Sequence, residues 1–271
     1  MKNNNRKGNG LTALVTGGTS GIGLETAKAL RDRGCRVFTL SRRPAVIPGI
    51  TSLTADVTDE AAVKSAVSAV IKEAGQLDIL VNCAGFGISG AVEFTELSDA
   101  KKQFDVNFFG AVNVTKAALP FMRERKSGMI VNISSVAAPV AIPIQAYYSA
   151  AKAALNARTA ALQNEIRPWG IRVTAVQPGD IRTGFTAARE KSARGDDVYE
   201  GRISRSVAKM ERDEQNGMDP AKAGAYIAST ALKKSPPPVS TIGFSYKAVC
   251  ALARILPASL FNRIVGELYA K

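Results

Sequence analysis

Tyr148 and Lys152 stand four residues apart in a segment rich in alanine. Residues at this spacing lie on one face of a helix, about one turn apart. A free tyrosine has a pKa of about 10 and is a weak acid or base at pH 7, but a neighbouring ammonium favours its phenolate form. The pair is therefore predicted to perform acid–base chemistry, with Lys152 lowering the pKa of Tyr148. Tyr147 lies five residues before the lysine and is assigned to packing or to a substrate wall.

Residue types that are absent or rare exclude several other kinds of site. The sequence contains no histidine, which excludes Ser-His-Asp and Cys-His nucleophile systems and metal sites ligated by imidazole. The three cysteines, Cys35, Cys83 and Cys250, are widely spaced and provide neither a disulfide framework nor a four-cysteine zinc site. The sequence therefore predicts no metal site and a reducing, cytoplasmic compartment.

A glycine-rich loop, Thr16-Gly-Gly-Thr-Ser-Gly-Ile-Gly23, lies between the first apolar run and a segment with helical spacing. Because glycine has no Cβ atom, the backbone of such a loop can approach a pyrophosphate closely. The N-terminus of the following helix adds free N–H groups and positive partial charge. The loop is therefore predicted to bind the phosphates of a dinucleotide.

The chain reads Ser41-Arg42-Arg43 after its second apolar run. Dinucleotide folds that use NAD commonly have an acidic residue here, which accepts hydrogen bonds from the ribose hydroxyls. A carboxylate would repel a ribose 2′-phosphate, whereas Arg42 can meet that phosphate with forked hydrogen bonds, assisted by Arg43. The sequence favours NADP(H) over NAD(H); the alternative is a solvated basic turn.

Lysine and arginine outnumber aspartate and glutamate by 36 to 23, which gives a net charge of +13. Such a charge attracts phosphates, anionic lipid headgroups or nucleic acid. The basic residues are spread along the chain without an arginine-rich run or interleaved aromatic residues, so no nucleic-acid partner is predicted. Polar residues and prolines interrupt the longest uncharged stretch, so no transmembrane helix is expected.

Short apolar runs alternate with segments of helical periodicity. Strands are predicted at 11–15, 36–40, 51–55, 78–81, 129–133 and 172–176, and helices at 23–31, 59–74, 99–125 and 147–169. This alternation builds a parallel sheet covered by helices on both faces. The predicted fold class is α/β, a Rossmann-type doubly wound parallel sheet in three α/β/α layers, with ligands beyond the carboxyl ends of the strands.

The order and spacing of these motifs resemble those of the short-chain dehydrogenase/reductase family, in its single-domain type that includes hydroxysteroid and retinol dehydrogenases and carbonyl reductases. The glycine loop has the family's G-x-x-x-G-x-G spacing. Asn82-Cys-Ala-Gly85 resembles the family's N-N-A-G element, with Cys83 replacing the second asparagine, and Pro178-Gly-Asp-Ile-Arg-Thr183 resembles P-G-x-x-x-T. The resemblance runs from Leu11 to about Thr183.

The resemblance implies a catalytic set of four residues. It selects Ser135 rather than Ser134 as the hydroxyl that donates to the substrate carbonyl oxygen. Asn107 matches the family's helix asparagine, which holds a water beside the lysine and relays protons, and Lys152 also holds the nicotinamide ribose. The predicted catalytic residues are Asn107, Ser135, Tyr148 and Lys152.

The resemblance also implies the residues that contact the dinucleotide. Asp56 resembles the family's acid that hydrogen-bonds the adenine amino group, although it could equally cap the helix that starts near Asp59. Asn82 can tie neighbouring strands together. The predicted cofactor-binding residues are Gly17, Thr19, Ser20, Gly21, Ile22, Gly23, Ser41, Arg42, Arg43, Asp56, Val57, Asn82, Ala84, Gly85, Tyr148, Lys152, Pro178, Gly179, Ile181 and Thr183.

The predicted organisation is a flexible leader at 1–10 and one oxidoreductase domain at 11–271. Within that domain, 182–219 resembles the family's mobile substrate lid. A helix at 220–232 and a strand at 239–243 follow, and a C-terminal helical extension at about 245–271 is hinged near Pro257. This extension is interpreted as packing on the enzyme or on a partner subunit, with a wall for a bulky apolar substrate or a weak membrane-surface contact as the alternatives.

These inferences favour an NADP(H)-dependent oxidoreductase that interconverts a ketone or aldehyde and its alcohol. Phe86, Phe185 and the apolar tail suggest a bulky hydrophobic substrate such as a steroid, retinoid or lipid-derived ketone. A 3-oxoacyl-type or small-ketone reductase and a non-catalytic dinucleotide-binding regulatory protein are the alternatives. The family commonly pairs the two helices at 99–125 and 147–169 with symmetry mates, which predicts a homodimer or homotetramer.

Overall fold

A seven-stranded parallel sheet forms the centre of the computed structural model, which describes residues 8–270. The strand order is β3-β2-β1-β4-β6-β7-β9, and every pair of neighbours is parallel. The strands are β1 (Thr12–Thr16), β2 (Arg36–Ser41), β3 (Ile50–Thr54), β4 (Ile79–Asn82), β6 (Gly128–Ile133), β7 (Ile171–Gln177) and β9 (Val239–Thr241). Two short strands, β5 (Ile88–Ser89) and β8 (Glu190–Lys191), pair separately.

Helices connect the strands and cover both faces of the sheet, so the predicted doubly wound α/β/α fold is confirmed. The helices are α1 (Gly21–Arg31), α2 (Glu60–Ala74), α3 (Leu97–Phe104), α4 (Gly110–Glu124), α5 (Ala146–Ile166), α6 (Phe185–Ala188), α7 (Arg202–Gln215), α8 (Pro220–Ala231), α9 (Phe244–Ile255) and α10 (Ala258–Tyr269). Short 3-10 turns cover Val92–Phe94 and Arg167–Trp169. No helix within residues 8–270 is both long and apolar enough to cross a bilayer.

Residues in β1 show why the central strands are apolar throughout. Ala13 and Val15 belong to the core cluster that includes residues of α1 and α8 on one face of the sheet. Leu14 points to the other face and packs in the cluster with residues of α2, α4 and α5. Since both faces are covered, successive side chains are all buried, as is typical of a parallel sheet.

The predicted helix at 99–125 is interrupted in the structure. A π-helical turn, Asp105–Phe109, separates α3 from α4. Such turns are rare and occur often at functional sites. Next to it, Gly110 lies so close to Val57 that a Cβ atom on the glycine would come within 2.5 Å of the valine Cγ2. Hydrophobic periodicity predicted one helix because the apolar positions continue across the interruption.

The two ends of the chain were predicted to be a flexible leader and a pair of helices. Residues 1–7 of the predicted leader lie outside the described residues. Gly8 is buried, and its backbone N–H donates to the Arg33 carbonyl at 2.6 Å. At the other end, α9 and α10 meet at Pro257, as the sequence predicts.

Two helical glycines are expected to respond in opposite ways to replacement by alanine. A Cβ atom on Gly224 in α8 would lie 2.4 Å from the backbone carbon of Glu25 in α1, whereas a Cβ on Gly266 in α10 would meet no atom within 4 Å. Gly224→Ala should therefore lower the free energy of unfolding by about 1–3 kcal/mol through overpacking. Gly266→Ala should raise it by about 0.5–1 kcal/mol through helix propensity. Urea unfolding measures the free energy of unfolding of both variants. Equal changes in the two variants would contradict the close packing of α1 on α8.

Candidate active site

A cavity of about 560 Å³ lies at the carboxyl ends of the central strands. Loops that follow β1, β4, β6 and β7 form its floor, and α9 and α10 form one wall. The sheet order reverses between β1 and β4, where loops diverge and leave a crevice for ligands. The sequence predicted this edge of the sheet as the site.

The glycine loop has the backbone that a close approach requires. Gly17 and Gly21 have positive φ values of 63° and 51°. A Cβ atom on Gly23 would lie 2.3 Å from the Gly17 carbonyl oxygen. Ser20 precedes α1 without capping it through its side chain, so N–H groups of the first turn remain available. These features fit the pyrophosphate of a dinucleotide.

The end of β2 presents two exposed arginines beyond this loop. Ser41 has a buried Oγ atom for which no partner exists among the described residues, and Arg42 and Arg43 are exposed. After β3, Asp56 accepts from the backbone and hydroxyl of Thr58 at 2.9 and 2.8 Å. Its alternative role as a helix cap is wrong, because Asp59 caps α2 by accepting from Ala62 N–H at 2.9 Å.

Helix α5 brings the predicted acid–base residues to the end of β6. The Lys152 ammonium is buried, donates to the Ile133 carbonyl at 2.8 Å and lies 5.7 Å from the centre of the Tyr148 ring. Ser135 lines the cavity with Tyr148 and acts on the Tyr148 hydroxyl to lower its pKa, and its Oγ accepts from Ala137 N–H at 3.0 Å. Ser134 instead points back to the helix, where its hydroxyl donates to the Lys152 carbonyl at 3.2 Å. The structure thus places Ser135, not Ser134, beside the tyrosine.

The sequence predicts that Lys152 lowers the pKa of Tyr148. This prediction is wrong, because the pKa of Tyr148 is raised in the structure. Burial raises the pKa of Tyr148 to about 12, and the Ser135 hydrogen bond lowers it by less. Burial also lowers the pKa of Lys152 to about 8. The Lys152 ammonium donates to a backbone carbonyl at the end of β6. Burial of the Tyr148 hydroxyl therefore outweighs any stabilisation of its phenolate by this ammonium. At pH 7 the tyrosine is protonated and can donate.

Asn107 lies in the π-helical turn, buried beside the cavity but not lining it. Its Oδ1 accepts from Phe86 N–H at 3.0 Å, and its Nδ2 donates to the Phe86 carbonyl at 2.9 Å. A Cβ atom on Gly85 would lie 3.0 Å from Asn107 Oδ1 and 3.7 Å from Lys152 Nζ. Asn107 therefore fixes the loop after β4, with Gly85 between its amide and the lysine.

Asn82 and Thr16 organise the same loop from within the sheet. The Asn82 side chain donates to Asn132 Oδ1 at 2.8 Å and so ties β4 to β6. Thr16 Oγ1 accepts from the N–H groups of Cys83 and Ala84, each at 3.0 Å. Cysteine at position 83 is compatible with this contact, because the backbone makes it.

The structure divides the predicted site residues into two groups. Those that line the cavity are Gly17, Ser20, Gly21, Ile22, Gly23, Ala84, Gly85, Ser135, Tyr148, Lys152, Pro178, Gly179, Ile181 and Thr183. Those that lie outside its lining are Thr19, Ser41, Arg42, Arg43, Asp56, Val57, Asn82 and Asn107. Phe86 and Phe185 also line the cavity, whereas Tyr147 does not.

Four of the polar residues on the cavity wall that were not predicted as site residues come from distant parts of the chain. We call Asp180, Arg189, Glu214 and Tyr246 the polar cluster; all four line the cavity. They come from the loop after β7, the α6–β8 connection, α7 and α9. No spacing rule joins such distant positions, so the sequence alone offered no signal for the cluster.

The remaining wall is apolar and comes largely from the C-terminal helices. This location supports the substrate-wall alternative for the C-terminal extension. The residues of α9, α10 and the turn between them that line the cavity with apolar side chains are Val249, Leu252, Leu256, Phe261, Ile264, Val265 and Leu268.

Comparisons with known proteins agree with this geometry. The family model described as short chain dehydrogenase matches residues 11–194. The 3-ketodihydrosphingosine reductase of Bacteroides thetaiotaomicron is 41% identical over 262 residues, which cover 95% of this chain and 97% of that protein.

Solved structures show the same relationship. A short-chain dehydrogenase from Streptomyces avermitilis has a TM-score of 0.81 and 30% identity, covering 95% of this chain and 94% of its own. A 3-ketoacyl-(acyl-carrier-protein) reductase from Brucella melitensis, solved with NADH, has a TM-score of 0.74 and 26% identity. The match covers 86% of this chain and 97% of that chain. Because the family match spans the glycine loop, the Tyr148–Lys152 pair and the strands that hold them, the chain belongs to the short-chain dehydrogenase/reductase family of oxidoreductases.

Proposed function

We propose that the protein is an NADP(H)-dependent reductase that converts a ketone on a long-chain lipid to the alcohol. The observation that carries the proposal is the position of the Tyr148 hydroxyl. It lies with Ser135 in the lining of a cavity whose outer wall is apolar. A proton donor at one end and an apolar wall at the other suit a carbonyl compound with a long hydrocarbon part.

The residues that would hold the dinucleotide are those of the glycine loop for the pyrophosphate, with Asp56 for the adenine. Arg42 and Arg43 would meet the 2′-phosphate. Thr183 and the backbone near Pro178 would meet the nicotinamide amide, and Lys152 the nicotinamide ribose. When bound, the reduced nicotinamide supplies a hydride to the carbonyl carbon of the substrate.

In this proposal the side chains of the chain manage the proton and the developing charge. Ser135 donates a hydrogen bond to the carbonyl oxygen and stabilises the alkoxide as it forms. Tyr148 gives its proton to the same oxygen, which completes the new O–H bond. Asn107 positions the loop after β4, and Lys152 and Asn107 return a proton to the tyrosine through water.

A substrate comparison tests the proposal. The purified protein is mixed with NADPH and, separately, with 3-ketodihydrosphingosine, a 3-oxoacyl thioester or a small polar ketone. Loss of NADPH absorbance should be fastest with the long-chain ketone, because it can occupy the apolar wall. Faster reduction of the thioester would favour a 3-oxoacyl reductase. NADPH binding without reduction of any carbonyl compound would contradict the enzyme and favour a regulatory protein.

We also propose that the protein is a homodimer or homotetramer. Phe109, the last residue of the π-helical turn before α4, and Ala150 and Ala157, on α5, are exposed, and such large and small apolar residues can interlock between helices. Light scattering at micromolar concentration should give two or four times the mass of one chain. Ala157→Arg should shift the mass toward one chain, because it places a charge in the contact. A wild-type monomer would contradict the proposal.

A further inference from the structure

The polar cluster is unusual because its charges stand in an otherwise apolar cavity wall. The Arg189 side chain is only 1% exposed, and its Nη2 forms an ion pair with Glu214 Oε1. Its Nε and Nη1 atoms have no hydrogen-bond partner among residues 8–270. A buried guanidinium with unpartnered N–H groups at a cavity wall indicates a ligand that brings a hydrogen-bond acceptor.

The two carboxylates of the cluster retain capacity for a donor. Glu214 Oε2 accepts from the Thr186 hydroxyl at 2.6 Å, and Asp180 Oδ2 accepts from the Tyr246 hydroxyl at 2.5 Å. An ionised carboxylate offers about four acceptor positions, so each can accept further bonds. Two carboxylates face one guanidinium, and burial together with Glu214 raises the pKa of Asp180. A cation placed here would relieve the excess of negative charge.

The cluster lies at the reactive end of the cavity. The Phe185 ring is 5.9 Å from the Tyr148 ring, and the Arg189 guanidinium carbon is 5.6 Å from the centre of Phe185. Asp180 and Glu214 raise the pKa of Tyr148, and Arg189 lowers it. All three charges therefore lie within electrostatic reach of the tyrosine hydroxyl.

We propose that the polar cluster binds an amino group on the carbon next to the substrate ketone and a hydroxyl group on the carbon beyond it. The ammonium would donate to Asp180 and Glu214, and the hydroxyl would accept from Arg189. The ligand class is a long-chain amino-hydroxy ketone, an inference that rests on the proposed reductase function. An anionic headgroup would meet two carboxylates, and an unsubstituted ketone would leave the buried Arg189 donors unpaired.

The first test uses the wild-type protein and three ketones of equal chain length. These are 3-ketodihydrosphingosine, its N-acetyl derivative and the corresponding 1-hydroxy-3-ketone without nitrogen. At pH 7, kcat/KM with NADPH should be about 100-fold higher for the free amine than for either analogue, since the uncharged analogues lose the charged contacts. Equal values for all three would overturn the proposed headgroup site while leaving the reductase function intact. Absence of turnover with every ketone would instead reject the reductase function on which the site rests.

The second test locates the preference in the cluster. Asp180→Asn keeps the shape of the side chain but removes its charge, and should reduce the preference for the free amine to roughly 10-fold or less. Glu211→Gln is the matched control, because Glu211 is on the same helix as Glu214, pairs with Lys191 and does not line the cavity. The control should keep the wild-type preference. NADPH titration and urea unfolding establish that both variants are folded.

The outcomes separate a headgroup site from a structural role. If Asp180→Asn lowers kcat/KM equally for all three ketones, the carboxylate only supports the fold through Tyr246, and the proposal is wrong. Loss of turnover with the amine alone supports direct recognition. If Asp180→Asn does not fold, the comparison of ketones on the wild-type protein still decides.

Discussion

Replacement of Tyr148 by phenylalanine is expected to lower kcat by about 1,000-fold, the usual contribution of a positioned general acid. The ring and its packing against Phe185 remain, so the cavity keeps its shape. Only the hydroxyl, the proposed donor to the carbonyl oxygen, is removed. Since the raised pKa of about 12 keeps this hydroxyl protonated across the neutral range, the loss should be similar from pH 6 to 8.

Steady-state kinetics and NADPH titration together check this expectation. The Kd for NADPH should stay within a factor of about three of wild type, because the phenylalanine variant retains Lys152 and the glycine loop. Tyr147→Phe is the matched control, since Tyr147 is the preceding tyrosine on α5 and does not line the cavity. Near-normal turnover in the Tyr148 variant would reject Tyr148 as the proton donor.

The second large effect concerns the choice of cofactor. The double variant Ser41→Asp with Arg42→Ala should prefer NADH over NADPH, which reverses the preference proposed for the wild type. Removal of Arg42 deletes a charge-assisted fork, which contributes about 10- to 100-fold. The new carboxylate accepts from the ribose hydroxyls and repels a 2′-phosphate. Together these changes should alter the ratio of kcat/KM values by about 1,000-fold.

Kinetics with each cofactor at fixed ketone concentration measures that ratio. Arg36→Ala serves as the control: Arg36 is an exposed arginine at the other end of β2, paired with Glu73 at 2.5 Å. It removes one positive charge from the same strand without touching the cofactor end. Equal use of NADH and NADPH by the wild-type protein would refute the argument from Ser41 and Arg42.

Local sequence patterns predicted those parts of the site that a single short segment forms. The glycine loop was predicted from an apolar run, the glycines at 17, 21 and 23 and a following helical segment. The fold was predicted from the alternation of strand and helix periodicity. Tyr148 and Lys152 share a helix face because of their spacing. Ser135 could be preferred over Ser134 only through the family resemblance, and the structure shows the physical difference, since Ser134 bonds to the Lys152 carbonyl.

Features that depend on packing between distant segments could not be predicted. Hydrophobic spacing does not reveal the π-helical turn that places Asn107 beside Phe86. The pKa of Tyr148 depends on burial by elements from several parts of the chain. The polar cluster joins Asp180 to Tyr246, 66 residues later, and becomes a unit only after folding.

The wall formed by α9 and α10 is held more weakly than the sheet it covers. Within residues 8–270, the core cluster beneath it has four buried members, Val136, Val140, Cys250 and Val265, against 20 in each of the two clusters that flank the sheet. Segments with few buried apolar contacts open at lower free energy than the global fold. If the substrate is the proposed long-chain lipid, its tail is expected to enter and leave by local opening of this wall while the glycine loop stays folded. Exchange of such a lipid would then be kinetically separate from exchange of the dinucleotide.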